Sequence, residues 1–233
     1  MQVVGPEILQ DVKVVEMINK LRDPVSGLTH CIAAILAVVG LVLLICESCN
    51  PVKPWHLVTF SVFCAGLILL YTTSTLYHWL PFDETGIRRL RRLDHMMIFI
   101  LIAATYTPIC LIPLRGGWGW SLFGSVWALA ILGIFMKMFW LNAPRWFSTV
   151  VYILTGWIVI VGAWPLIRAL HIGGFLWILA GGLFYTAGAV IYALKRPNPW
   201  PRIFGFHEIF HIFVMLGSLS HFWVMYRYVT RFD

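Results

Sequence analysis

Residues 206–222 read FHEIFHIFVMLGSLSHF. The run is long and apolar enough to lie inside a bilayer, yet it carries His207, Glu208, His211 and His221. Ionisable groups are costly in hydrocarbon and mark functional sites there, so this stretch predicts a membrane span whose imidazoles have a purpose.

The rest of the chain has the same character. Of 233 residues 60% are hydrophobic and 12% charged, with 12 Trp and 16 Phe, whereas a soluble domain has about a quarter of its residues charged. An integral membrane protein is implied. A span takes roughly 20 apolar residues, and seven windows qualify: 28–46, 57–79, 95–114, 120–141, 146–164, 174–194 and 206–228. The expected fold is an all-α integral membrane bundle of seven transmembrane helices over residues 26–230, preceded by a short cytoplasmic segment, residues 1–25. That segment has no apolar run leading to a small-residue cleavage site, so the first span is expected to insert uncleaved. No internal repeat of the transporter kind is visible, because the histidine motifs do not recur in a matched half.

A formal net charge of +7 invites a nucleic-acid partner, but the placement of the charge argues for topology instead. Lys13, Lys20, Arg22, Arg88, Arg89, Arg91, Arg92, Lys137, Arg145, Lys195, Arg196 and Arg202 fall on one side of the predicted spans. Only Lys53, Arg115, Arg168, Arg227 and Arg231 fall on the other. The positive-inside rule then puts the N-terminus in the cytoplasm and the C-terminus outside. The arginine-rich GIRRLRRLDH, residues 86–95, reads as a connection that sets orientation and snorkels to the interface. Cys46 and Cys49 form a CESC at the outer end of the first span, where a disulfide is one reading and incidental thiols the other.

This orientation gathers the histidines. His30 opens span one, His78 closes span two, Asp94 and His95 open span three, and His207 and His211 open span seven, all at the cytoplasmic end. His56 and His171 fall at the other face, where interfacial hydration is a sufficient explanation. His221 lies about 15 Å deeper than His211 at 1.5 Å per residue, and a core hydrogen bond between helices is expected for it. Residues four apart share a helix face, so His207 and His211 can aim nitrogens at one point. His78 is the candidate third imidazole, completing a His₃ set that leaves a coordination position for water, the pattern of catalytic zinc. Asp94 at the same depth can accept a hydrogen bond from that water or orient a ligand, and Ser74, one turn before His78, faces the same place.

STLYH (74–78), RRLDH (91–95) and HEIFHIFVMLGSLSHF (207–222) resemble the signature of the hemolysin III group, from Asp23 onward. That group is the bacterial branch of the progestin and adiponectin-receptor family, within a wider set of seven-helix metal-dependent hydrolases. The resemblance implies a zinc ion held by His78, His207 and His211, with Asp94 and Ser74 around the metal-bound water, in a bacterial inner-membrane protein. At the first span the group has Glu, two residues, Asn, three residues, His; here the same spacing reads Asp23, Ser26, His30. A shorter acid and a hydroxyl favour a structural role there, and His95 is expected to lie behind the ligands.

Zinc held by neutral imidazoles lowers the pKa of bound water to about 7 and polarises a carbonyl. Hydrolysis of a lipid amide or ester is therefore expected, in a cavity open to the inner leaflet and with membrane homeostasis as the consequence. Membrane lipids are the expected partners, and nucleic acid is not. The alternative is a non-enzymatic sensor, receptor-like or cytolytic protein with a structural zinc. A proton relay through Asp94 and the histidines lacks support beyond His221. HEIFH is also HExxH, the zinc-protease pattern. No carboxylate follows His211 before Asp233 to serve as a further ligand, so Glu208 reads instead as an acid at a helix start.

Overall fold

The computed structural model describes residues 21–201 and 203–233. Among these there is no strand, only two isolated bridges, and the chain runs helix after helix. The helices are α1 (Pro24–Cys49), α2 (Pro54–Trp79), α3 (Glu84–Leu111), α4 (Gly117–Phe139), α5 (Arg145–Gly156), α6 (Ala163–Leu194) and α7 (Phe206–Arg227). A 3₁₀ segment, Trp157–Gly162, joins α5 to α6, and another, Val229–Arg231, follows α7.

Among the described residues six stretches are long and apolar enough to cross a membrane, one of them the continuous Arg145–Leu194 of 50 residues. Straight, that stretch would reach roughly 75 Å at 1.5 Å per residue, over twice the hydrocarbon thickness. It is not straight. His171, at φ 58 and ψ 167, breaks α6. The chain folds back on itself around it: the Trp157 indole donates to Thr186 Oγ1 at 2.9 Å, and Arg145 donates to the Tyr192 carbonyl at 3.3 Å.

The exterior is oily and the interior partly polar, the inverse of a soluble protein. Ile35, Val42, Val58, Leu132, Leu154 and Val161 are exposed. Ser26, His30, Ser74, His78, Lys137, His211, Ser218 and His221 are buried. Apolar surface of this extent belongs against lipid. Buried hydroxyls are satisfied locally: Thr75, Thr105, Thr107 and Thr155 each donate to the carbonyl four residues back, as does the half-buried Thr186. Neighbouring helices pack in chain order, and α7 closes the ring against α1.

Helix α3 starts earlier than the hydropathy window predicts. The arginine-rich stretch is not a connection but the first turns of α3, because Arg, Leu and Ile are adequate helix formers and Asp83 caps the start by accepting from the Gly86 N–H at 2.9 Å. Small residues then let α3 approach α2. A Cβ on Gly66 would lie 2.6 Å from the Ala104 Cβ. Gly66→Ala is accordingly expected to lower stability by about 1–3 kcal/mol through overpacking. Gly124→Ala, where nothing lies within 4 Å, is expected to be neutral or slightly stabilising. Thermal unfolding of both variants in detergent checks the contrast.

The far end of the bundle is closed by α2 and the C-terminus. Lys53 Nζ donates to the carbonyls of Thr230 and Phe232 at 3.1 and 2.7 Å. His56, expected to be hydrated, is 2% exposed, and its Nε2 lies 3.0 Å from the Val229 carbonyl. The chain after α7 turns back over α2 and covers the His56 ring.

Candidate metal centre

Three of the predicted residues meet. His78 closes α2, His207 and His211 open α7, and one ligand nitrogen from each lies within 4.8 Å of the other two. His78 Nε2 and His207 Nε2 are 3.1 Å apart. Nitrogens bound tetrahedrally to one ion at about 2.0–2.1 Å would be roughly 3.3 Å apart, so the set fits a metal ion with small adjustments.

For two of the three, His211 and His78, the other ring nitrogen fixes the tautomer. His211 Nδ1 lies 3.0 Å from Thr29 Oγ1 and 3.2 Å from the Ser26 carbonyl. The Thr29 hydroxyl hydrogen is already given to that carbonyl at 2.8 Å. The nitrogen must therefore donate, which leaves the lone pair on Nε2. His78 Nδ1 lies 3.2 Å from Asp23 Oδ2 and donates to it, again leaving Nε2 free. Imidazoles held through one nitrogen by a carboxylate or carbonyl and free at the other are the usual form of metal-binding histidine.

Asp23 precedes α1, but its side chain makes no capping bond to that helix. Its N–H donates to the His78 carbonyl at 2.9 Å, and the Trp79 indole donates to the Pro24 carbonyl at 3.1 Å. Residues 22–24 are thereby strapped to the end of α2. The His78 ring, and after it the Arg22 guanidinium at 3.1 Å, hold the Asp23 carboxyl below the usual carboxylate range against partial burial, which pushes it up. Asp23→Asn is expected to weaken metal binding about 10- to 100-fold, the usual loss when a histidine's outer partner is removed. Competition against a chromophoric chelator measures it.

The residues of the first span thus touch the site more closely than spacing alone suggests. Asp23, Ser26 and His30 fall at positions i, i+3 and i+7, one stripe of α1, and that periodicity was the available signal. Ser26 donates to Glu208 Oε1, and Glu208 Oε2 accepts from the Gly205 N–H at 2.7 Å. Glu208 therefore caps α7 and ties it to α1, in keeping with an acid at a helix start. His30 stacks on His211 with centroids 3.6 Å apart, and both its nitrogens are buried without a partner. Thr29 carries no signal in the sequence, because its partner His211 is 182 residues away.

Asp94 and Ser74 line the same cavity as the three histidines without joining the nitrogens that converge. His95 Nδ1 lies 2.8 Å from the Arg91 carbonyl and 3.5 Å from Asp94 Oδ2. His221 departs from expectation. Its Nδ1 lies 2.8 Å from the Gly217 carbonyl of its own helix, and its contact with α6 is a stack on Tyr185, 5.5 Å between centroids. A carbonyl four residues back is always within reach of a helical side chain, which outcompetes a partner on another helix. Cys46 and Cys49 are exposed and unbonded.

The cavity holds about 620 Å³ and extends from the histidines past Leu101, Ile102, Ile109, Ile153 and Ile178. One end is polar and three imidazoles meet there; the length is apolar.

The chain is similar to known proteins along most of its length. The chain is 36% identical over 206 residues to the hemolysin-3 homolog of Bacillus subtilis (strain 168), covering 88% of this chain and 93% of that protein. It is 36% identical over 218 residues to hemolysin-3 of Bacillus cereus, covering 93% and 96%. The monocyte to macrophage differentiation factor of Homo sapiens is 24% identical over 213 residues, 87% of this chain and 82% of that protein. The family model described as haemolysin-III related matches residues 18–222, which takes in α1 through His221 and every histidine of the site. With this match across nearly the whole chain, the protein belongs to the haemolysin-III related family and is a multi-pass protein of the plasma membrane.

Proposed function

We propose that the chain crosses the membrane seven times with its N-terminus in the cytoplasm, holds zinc at His78, His207 and His211, and hydrolyses a lipid amide or ester. The fold-back at His171 supports two crossings within Arg145–Leu194. The surplus of Lys and Arg at the histidine end supports the orientation. Zinc suits three neutral imidazoles with a position left open, and when bound it supplies a Lewis acid for the carbonyl and for water.

The single observation that carries the reading is the convergence of three imidazole nitrogens at the polar end of an apolar cavity. A structural ion needs no such cavity. The acyl chain lies along the isoleucines and Leu101, which exclude water from the reacting end. Asp94 accepts the proton of the attacking water and passes it to the leaving amine or alcohol. Ser74 donates a hydrogen bond to the oxygen on which negative charge develops. His30, stacked on His211, keeps that ring from swinging away.

The test combines two measurements on detergent-purified protein. Elemental analysis is expected to find about one zinc per chain, as three imidazoles make one site. Mixed micelles of 1-lauroylglycerol or N-lauroyl-ethanolamine are expected to release laurate with the zinc-loaded protein and not after chelation. Zinc without release from either lipid would defeat the hydrolase and leave an ion that staples α2 to α7. Absence of metal after zinc is supplied would defeat both.

A further inference from the structure

Three cations stand at the histidine end of the cavity without a carboxylate to balance them. Arg91 lies on α3 one turn before Asp94, Lys137 is in the last turn of α4, and Arg145 opens α5; all three line the cavity. Lys137 is 1% exposed, and its Nζ donates to Ser148 Oγ at 2.5 Å, a neutral partner. Arg145 donates to the Tyr192 carbonyl and lies over the Tyr192 ring at 4.6 Å. Among the described residues no carboxylate pairs with any of the three. The carboxylates on the same wall are engaged elsewhere: Asp23 with Arg22 and His78, Asp94 with His95, and Glu208 with Ser26 and Gly205.

Burying an ammonium against one hydroxyl is unfavourable unless further acceptors are supplied. Orientation alone does not explain Lys137, because a residue that only marks the cytoplasmic side would snorkel outward. The cluster is also one ring away from the metal centre. The Tyr192 ring that carries Arg145 lies 5.7 Å, centroid to centroid, from the ring of His207.

We propose that Arg91, Lys137 and Arg145 bind the phosphate of an anionic lipid headgroup, with the acyl chain of the same molecule in the apolar length of the cavity. Arginine forks match phosphate oxygens in pairs, and Lys137 adds a point charge. A free phosphate would leave the apolar length unfilled, whereas a lipid satisfies both ends. That the bound lipid is the substrate rests on the hydrolase reading; the headgroup site itself stands on the cations.

The experiment uses full-length protein in detergent micelles and two probes with the same chain and ester, 1-lauroyl-lysophosphatidate and 1-lauroylglycerol, with binding followed by tryptophan fluorescence. Wild type is expected to bind the phosphate-bearing probe about tenfold tighter or more, the worth of one or two charge-assisted hydrogen bonds. Lys137→Met is expected to reduce that preference to about twofold, and Lys137→Arg to restore most of it, with affinity for 1-lauroylglycerol nearly unchanged. Removing a buried unpaired charge should leave the fold intact; if Lys137→Met does not fold, Arg145→Gln makes the same comparison. Equal affinity for the two probes in wild type, or an unchanged preference in both Lys137→Met and Arg145→Gln, would overturn the proposal. So would displacement of lysophosphatidate by equimolar inorganic phosphate, which would identify a free anion as the ligand. A clear phosphate preference in samples without zinc or laurate release would support the headgroup site while defeating the hydrolase. Zinc and laurate release without a preference would do the reverse.

Discussion

His211→Ala is expected to lower the affinity of the site for zinc by about 10²–10³-fold, with His78→Ala and His207→Ala close behind. Structural zinc sites with four ligands bind with roughly 10–16 kcal/mol, which makes each ligand worth about 2.5–4 kcal/mol. His211 is the most completely fixed of the three. It is 2% exposed, its Nδ1 is held by Thr29 and the Ser26 carbonyl, and one face is covered by His30 at 3.6 Å. A ring so held donates its lone pair without further loss of freedom, and alanine loses that donor together with the contact that positions it. His30→Phe is the control. It keeps a stacked ring and removes two nitrogens that have no partner, so zinc affinity is expected to stay within about threefold. Chelator competition on the four variants gives the result; wild-type affinity in His78→Ala, His207→Ala and His211→Ala would remove the metal centre from this place.

Membrane character and the three histidines were legible because each is a local signal. Apolar runs of span length follow from the cost of polar backbone in hydrocarbon, and a four-residue spacing puts His207 and His211 on one face wherever the helix sits. The depth of His78 followed from counting spans. What local signals could not carry was partner choice. Asp23 belongs to the site because its carboxylate reaches His78, 55 residues away, and Glu208 touches Ser26 across 182. His56 looked interfacial because nothing near it in the chain discloses that the segment after α7 folds over α2. The start of α3 was misplaced for another reason: hydropathy locates the lipid-embedded part of a helix, and four arginines hide the helical turns that precede it.

The second large effect is expected at Asp94. Asp94→Asn should slow laurate release from whichever lauroyl ester or amide the wild type cleaves by about 10²–10⁴-fold, the range for losing a general base. Its zinc content should not change. Asparagine keeps the volume of the side chain and its place on α3 but cannot take a proton. Asp94 is not in the group of ligand atoms that converge, so metal content is not expected to depend on it. Its surroundings suit a base that must stay ionised: the side chain is 15% exposed in the cavity wall, with His95 Nδ1 at 3.5 Å as its nearest charged or chargeable neighbour. Ser74→Ala, which removes one donor to a developing oxyanion, should cost less than two or three orders of magnitude in the same assay. The contrast between rate and metal content is what gives the comparison its force. A variant that loses both would show Asp94 to be a ligand, and one that loses neither would move the base elsewhere in the cavity. Only an intact ion with a lost rate assigns the proton transfer to this carboxylate.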